Sequence, residues 1–197
     1  MPSNSMRVVA AIVLVFAAVL TSCSDSATDP PSAQSSAAHN AADVAFARNM
    51  IPHHQQAVML AAMVPARTAN AALRVTATHI GADQQAEIRT LNGLLAQWGE
   101  PIDPGGTSPS GHGGMAMPGM AGMVDQGILD RLQTLDDDAF DTLWVTSMIG
   151  HHQGAITMAQ DEIAHGQSAD AVDVARLIIT AQQREIAMMT HLISASQ

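Results

Sequence analysis

The sequence predicts an all-α protein, a four-helix bundle made of two repeated helical hairpins. Three observations lead there. Apolar residues recur at three-four spacing over long segments, as on one face of a helix. Alternating β-branched runs bounded by turns are absent. The chain also repeats itself at one constant offset with no gap. Asp43, Met50, Ile51, His53, His54, Gln55, Ala57 and Ala61 recur as Asp141, Met148, Ile149, His151, His152, Gln153, Ala155 and Ala159. Gln84, Gln85, Glu87, Ile88 and Leu94 recur as Gln182, Gln183, Glu185, Ile186 and Leu192, and Phe46 corresponds to Trp144. Two separated blocks at one offset are improbable by chance. Two such hairpins close a bundle.

Residues 1–22 read as a lipoprotein signal peptide: Arg7, then an apolar run from Val8 to Leu20, then small residues. At about 13 residues that run is shorter than the roughly 20 an ordinary membrane span needs. Leu20-Thr21-Ser22-Cys23 resembles the bacterial lipobox, in which the cysteine is diacylated and becomes the new N-terminus. Acyl chains on Cys23 would hold the protein on the outer face of a membrane or in the periplasm, since each buried CH₂ contributes about 0.8 kcal/mol. The alternative is a cleaved secretory peptide with an incidental Cys. Residues 23–40, rich in Ser, Ala and Pro, read as a flexible tether.

The folded part spans 41–197 as one domain. Repeat 1 covers 41–99. Its first helix carries Phe46, Met50, His53/His54, Ala57 and Leu60/Ala61, and Pro65 and Thr68 mark its end. Its second runs from about Asn70 to Trp98, closed by Gly99 and followed by Pro101. Residues 100–124 form a Met-, Gly- and Pro-rich loop with no helical period. Residues 125–197 hold a short helix from about Asp125 to Leu135, then the second hairpin. That hairpin runs from about Asp138 to His165 and turns through Gly166-Gln167-Ser168, with Ser168 as N-cap; its last helix reaches Ile193.

Composition narrows the function. The chain has 197 residues, a formal net charge of -10, and 8 basic residues, every one an Arg. Nucleic acid demands clustered positive charge and is excluded as a partner. The single Cys excludes a disulfide framework, a Cys-rich zinc site and an iron–sulfur cluster. No Tyr is present, which argues against aromatic binding platforms. What remains to explain is 13 Met and 9 His.

Three constellations use them. The first is Met-x-x-His-His, as Met50-Ile51-Pro52-His53-His54 and Met148-Ile149-Gly150-His151-His152. Imidazole and thioether together suit a soft cation such as Cu(I). Residues three and four apart share a helix face, so Met50 can meet His53 or His54. Pro52 cannot donate to the Arg48 carbonyl and Gly150 weakens the equivalent turn, so both repeats loosen the backbone before the His pair. The alternative is two core-edge histidine pairs with structural hydrogen bonds.

The second constellation is Gln84-Gln85-x-Glu87 and its copy Gln182-Gln183-x-Glu185. Gln84, Glu87, Gln182 and Glu185 lie on the apolar stripe, where a carboxylate needs a partner. An imidazole whose tautomer it would fix is the expected one; a solvated or Arg-paired glutamate is the alternative. The first turn centres near Arg67, which puts His53/His54 level with about His79 and leaves Glu87 roughly 10 Å further along the axis. A pseudo-two-fold perpendicular to the bundle would bring Glu185 to His53/His54 and Glu87 to His151/His152. Each Glu is therefore expected to serve the opposite repeat.

The third is the loop set His112, Met115, Met117, Met120 and Met123, whose thioethers can wrap Cu(I) or Ag(I) without a preformed cage. A linker with incidental Met is the alternative. Met59, Met63, Met158, Met188 and Met189 sit at helix positions and read as core filler, and His39, His79, His165 and His191 as structural or surface groups.

The paired MIPHHQQA and MIGHHQGA motifs, the QxxEI blocks, the lipobox and the Met-rich spacer resemble the bacterial domain-of-unknown-function 305 family, over about residues 40 to 195. The resemblance implies a ferritin-like helical bundle, mostly exported, some of whose members bind copper and support copper resistance. Carried onto this chain, it implicates Met50, His53, His54, Met148, His151 and His152, with the Met-rich loop as accessory. Gly150 replaces the commoner Pro or acidic residue.

The leading expectation is a lipid-anchored envelope protein that sequesters or transfers Cu(I), with Ag(I) as a second candidate cargo. It is not an enzyme, and its partner would be a copper exporter or another envelope metalloprotein. Two other classes stand beside it. One is a metal-free envelope interaction module. The other is a ferritin-like di-metal oxidase, which the lack of Glu-x-x-His disfavours.

Overall fold

Helix α1 (Ala41–Met63) opens on Asn40, whose side-chain oxygen accepts from the Ala42 and Asp43 N–H groups while Asp43 accepts from the Asn40 N–H. This reciprocal cap satisfies donors that a helix start otherwise leaves bare. The helix is continuous through Pro52 and ends in a 3₁₀ turn at Val64–Ala66. Asn70 caps α2 (Ala71–Gln97), and Gly99, at φ 73°, ends it as its position predicts. Asp125 caps the short α3 (Gln126–Leu132). Then come α4 (Asp137–His165) and α5 (Ala169–Ala195), with the Ser168 hydroxyl accepting from the Ala171 N–H. The structure is a computed structural model that describes residues 38–102 and 120–195. The predicted signal peptide and Cys23, most of the tether, and His112, Met115 and Met117 lie outside the described residues.

The protein is all-helical, in agreement with the predicted class. The helix α1 packs on α2 and α4 on α5; the two hairpins then meet α1 against α4 and α2 against α5. Helices α1 and α4 run antiparallel. Asn40 Nδ2 donates to the His165 carbonyl at one end, and Trp144 Nε1 donates to the Leu60 carbonyl towards the other. Between these contacts His53 lies against His151. A pseudo-two-fold axis perpendicular to the helices therefore passes between two equivalent residues of the two repeats.

The axis also relates two apolar clusters at opposite ends of the bundle. One contains Phe46, Met50, Leu91 and Ile178; the other contains their counterparts Trp144, Met148, Met189 and Ile80. Fully burying such a side chain contributes about 1.5–3 kcal/mol. These clusters hold the bundle together. The layer between them is polar: His53, His54, Gln84, His151, His152, Gln182 and Glu185 are all buried there.

The expectation that the helical methionines fill the core holds for Met189 and fails for two others. Met59 is 45% exposed and Met188 38% exposed. Both lie on outward faces of their helices, where spacing along the chain does not by itself assign a side.

Candidate metal centre

The four motif histidines are fully enclosed at mid-bundle, because α1 and α4 each turn their His pair towards the pseudo-two-fold. The His53 and His151 rings lie with centroids 3.7 Å apart and planes 35° apart. Within each pair the rings are 6.2 Å apart. His152 Nε2 donates to Glu185 Oε2 at 2.6 Å. His54 Nε2 lies 2.8 Å from Glu87 Oε2, at hydrogen-bond distance but without its alignment.

These pairings correct the expected register. Each glutamate meets the His pair of its own hairpin, not of the opposite one. The count treated each turn as a simple reversal at helical pitch. In fact α2 and α5 are each preceded by non-helical residues, 67–70 and 166–168. Extended residues advance about 3.3 Å each against about 1.5 Å in a helix, so the few at each turn shift the facing helix by about one turn towards the observed register. The opposite repeat still contributes at longer range: the Glu185 carboxylate acts on His54, and the His152 ring acts on Glu87.

Burial dominates the electrostatics. It pulls His53 and His54 down to about 3, helped by the neighbouring imidazoles, and holds His151 well below the ordinary range. Glu87 is pushed up to about 7 by burial and by nearby Asp83. These three imidazoles are therefore neutral at pH 7, with a lone pair free on one nitrogen. Among the described residues the Nδ1 atoms of His53, His54 and His152 are buried without a hydrogen-bond partner. Neither ring nitrogen of His151 has one of good geometry. An unmade bond to a buried polar group costs about 1–3 kcal/mol, so the layer is held at the expense of the apolar ends.

Met50 and Met148 lie one helical turn before the His pairs and are completely buried, each at the inner edge of a different apolar cluster. Gln84 and Gln182 are buried in the same layer, and among the described residues the Gln182 side chain finds no hydrogen-bond partner. Among the described residues, no three His, Cys, Asp or Glu side chains converge as a metal cage would require. The histidine and carboxylate donors are arranged in pairs.

The end of the Met-rich loop reaches this layer. Met120 and Met123 are half-buried and bracket a turn in which the Met123 N–H donates to the Met120 carbonyl. His53 Nε2 faces the Ala121 carbonyl at 3.1 Å. The Gln56 side chain grips Val124 twice, accepting from its N–H at 2.8 Å and donating to its carbonyl at 2.9 Å. Gly122, at φ 79°, rests against α4, where a Cβ would come within 2.7 Å of the Gly150 carbonyl. A Cβ on Gly154 would land on the Ala121 carbonyl. Residues 120–124 are thus a strap across the α1–α4 seam. Gln56 and Gly154 were missed by the motif reading, yet the signal was there: they are the equivalent position of the two repeats, and it differs.

Comparison with known proteins agrees with this architecture. The model of the family described as Domain of unknown function (DUF305) matches residues 43–193. A structure from Streptomyces coelicolor, described as a putative secreted DUF305 protein, is 30% identical with a TM-score of 0.67 and covers 78% of this chain and 93% of that one. CopM in its Cu(I)-bound form is 27% identical with a TM-score of 0.61, over 78% of this chain and 96% of that one. CopM in its Cu(II)-bound form is 29% identical with a TM-score of 0.62, over 79% and 97%. None of the curated proteins compared with the chain matches it. Among the described residues no helix is long and apolar enough to cross a membrane.

Proposed function

This chain belongs to the DUF305 family, and from that premise we propose that it is a lipid-anchored protein of the cell envelope that binds Cu(I), and Ag(I) as a chemical analogue, through Met and His side chains. The observation that carries the reading is the buried histidine layer: imidazoles with bare ring nitrogens on a pseudo-two-fold, each pair one turn from a buried thioether. Imidazole and thioether donors match a soft cation, whereas calcium and magnesium call for oxygen sets. The carboxylates at hand already face His54 and His152. CopM in Cu(I)- and Cu(II)-bound forms supports copper as the cargo, and its Ag-bound form supports silver.

The role proposed is binding rather than catalysis. The protein sequesters Cu(I) or hands it to an exporter or another envelope metalloprotein, and so serves copper homeostasis. Met120 and Met123, at the end of the Met-rich loop, bring further thioethers next to the layer. Acylated Cys23 would place this activity at a membrane surface.

Anaerobic titration with Cu(I) against a competing chelator tests the reading. Replacing His53 and His151 together by Ala is expected to abolish tight binding, with a smaller loss when Met115, Met117, Met120 and Met123 are replaced. Unchanged affinity in both variants overturns it in favour of a metal-free interaction module. Incorporation of labelled fatty acid, lost in Cys23→Ala, tests the anchor.

A further inference from the structure

Three of the four imidazoles share an orientation. His152 Nε2 faces Glu185, His54 Nε2 faces Glu87, and His53 Nε2 faces the Ala121 carbonyl. In each an oxygen lies nearest Nε2 and Nδ1 is buried without a partner, though for His54 the Nε2 contact lacks hydrogen-bond alignment. A carbonyl oxygen can only accept, so the proton of neutral His53 sits on Nε2 and its lone pair on Nδ1. For His54 and His152 the acceptor is a glutamate from the same hairpin. For His53 it is a backbone carbonyl from a segment far away in sequence, and something must hold that segment in place.

The repeat shows what holds it. At the position after the His-His-Gln run, repeat 1 has Gln56 and repeat 2 has Gly154. Gln56 clamps Val124 by both its backbone groups. Gly154 removes the one side chain that would occupy the space of the Ala121 carbonyl. A single strap crossing a two-fold axis cannot meet both halves alike, so one half supplies a clamp and the other a vacancy. Gly150 is different: a Cβ there would meet nothing within 4 Å.

We propose that Gln56 and Gly154 are positioning residues of the metal centre: they seat the Ala121 carbonyl on His53 Nε2, which leaves Nδ1 as the nitrogen that takes the soft cation. The inference rests on the metal-binding reading for its second half only. Ligating histidines commonly donate their other N–H to a carbonyl or carboxylate, which fixes the ring and its tautomer. Here the strap does this for His53.

Histidine-selective ¹H–¹⁵N NMR on the full chain tests both halves separately. In the metal-free protein His53 should be the Nε2–H tautomer. Gly154→Ala and Gln56→Ala should turn it into a tautomeric mixture, whereas Gly150→Ala, on the same helix, should leave it unchanged. Gln56→Glu keeps the acceptor for the Val124 N–H and loses the donor, so it should lie between. Near-ultraviolet circular dichroism from buried Trp144 identifies variants that have lost the fold, and Gln56→Glu then carries the test. A His53 tautomer that is the same in all folded variants overturns the positioning role. Addition of Ag(I) should move the His53 Nδ1 resonance, and Gly154→Ala should weaken Ag(I) about 10–100-fold, the usual effect of losing such an outer partner. A shift at Nε2 instead overturns the assignment of Nδ1. No Ag(I) response at any histidine overturns the metal-binding reading and with it the Nδ1 claim, while the tautomer result in the metal-free protein still decides the role of the strap.

Discussion

The two hairpins repeat one design, and some of their differences fall where only one of them has a task. Phe46, Met50, His53, His54 and Glu87 have counterparts in Trp144, Met148, His151, His152 and Glu185 that occupy equivalent places in the bundle. Among their many differences, three bear on contacts within the bundle. Pro52 faces Gly150 in the alignment, Gln56 faces Gly154, and Val64 faces Glu162. The first two lie in the repeated motif; Gln56 and Gly154 meet the strap through their side-chain positions, while a Cβ at Gly150 would touch nothing within 4 Å. The third lies at the hairpin turns. Val64 is buried in an apolar cluster, while Glu162, 2% exposed, sits beside Asp43. Asp43 accepts from the Gln167 and Ser168 N–H groups, and so ties the start of α1 to the turn between α4 and α5. The centre keeps its symmetry because both halves contribute to one buried polar layer; the periphery loses it because one connecting segment cannot serve both halves equally.

Paired substitutions at equivalent positions sharpen this comparison. Trp144→Ala should destabilise by about 3–5 kcal/mol, the range for emptying a large buried aromatic site. Phe46→Ala should cost less, since Trp144 also loses its bond to the Leu60 carbonyl. Chemical denaturation of both variants reads the difference, and equal losses would mean that the two apolar ends are more alike than their contacts suggest. Pro52→Ala restores a donor for the Arg48 carbonyl and should stabilise by up to about 3 kcal/mol. Gly150→Ala, with open space around it, should gain only about 0.5–1 kcal/mol.

Glu162 gives the comparison a pH axis. Burial first, then Asp43, pushes it up to about 8, while Asp43 itself is lowered by the N–H groups it accepts from. Between about 4.5, its ordinary value, and 8 the folded chain keeps a proton on Glu162 that the unfolded chain has released. Its contribution is therefore full in acid and lost as pH rises through that window, at up to about 1.4 kcal/mol per pH unit. Glu162→Gln should flatten this decline. Val64→Ala should leave the pH profile unchanged and lower stability uniformly. The buried imidazoles act on the other side: His53 and His54, held down to about 3, lose their contribution as pH falls below 6.5. Thermal melts across pH 4–9 separate the two effects, and a profile that Glu162→Gln does not alter would remove the proton from Glu162.

Much of this was legible beforehand, for physical reasons that can be named. Helical spacing and caps announced the hairpins, because periodicity and capping are local. The constant offset announced the symmetry and its central histidines. The glutamate pairing differs from the spacing count because the non-helical residues at 67–70 and 166–168 shift a whole helix, and sequence spacing does not carry their rise. The outward turn of Met59 and Met188 was hidden for a related reason: a thioether suits either face. The strap was invisible, since Ala121 and Val124 acquire meaning only from Gln56, His53 and Gly154, which lie far away in the chain.

The polar layer sits at mid-length between two packed apolar clusters. A 27-residue helix such as α2 is about 40 Å long. Along the bundle axis about 20 Å of mostly apolar side chains separates the layer from either end, so the seams between helices are its shortest way to solvent. The strap lies over the α1–α4 seam. On α2 the Glu87 side chain is 19% exposed, against 4% for Glu185. The layer is therefore more open to water at Glu87 than at Glu185. Two halves that match at the centre are thus unequal in how they meet solvent.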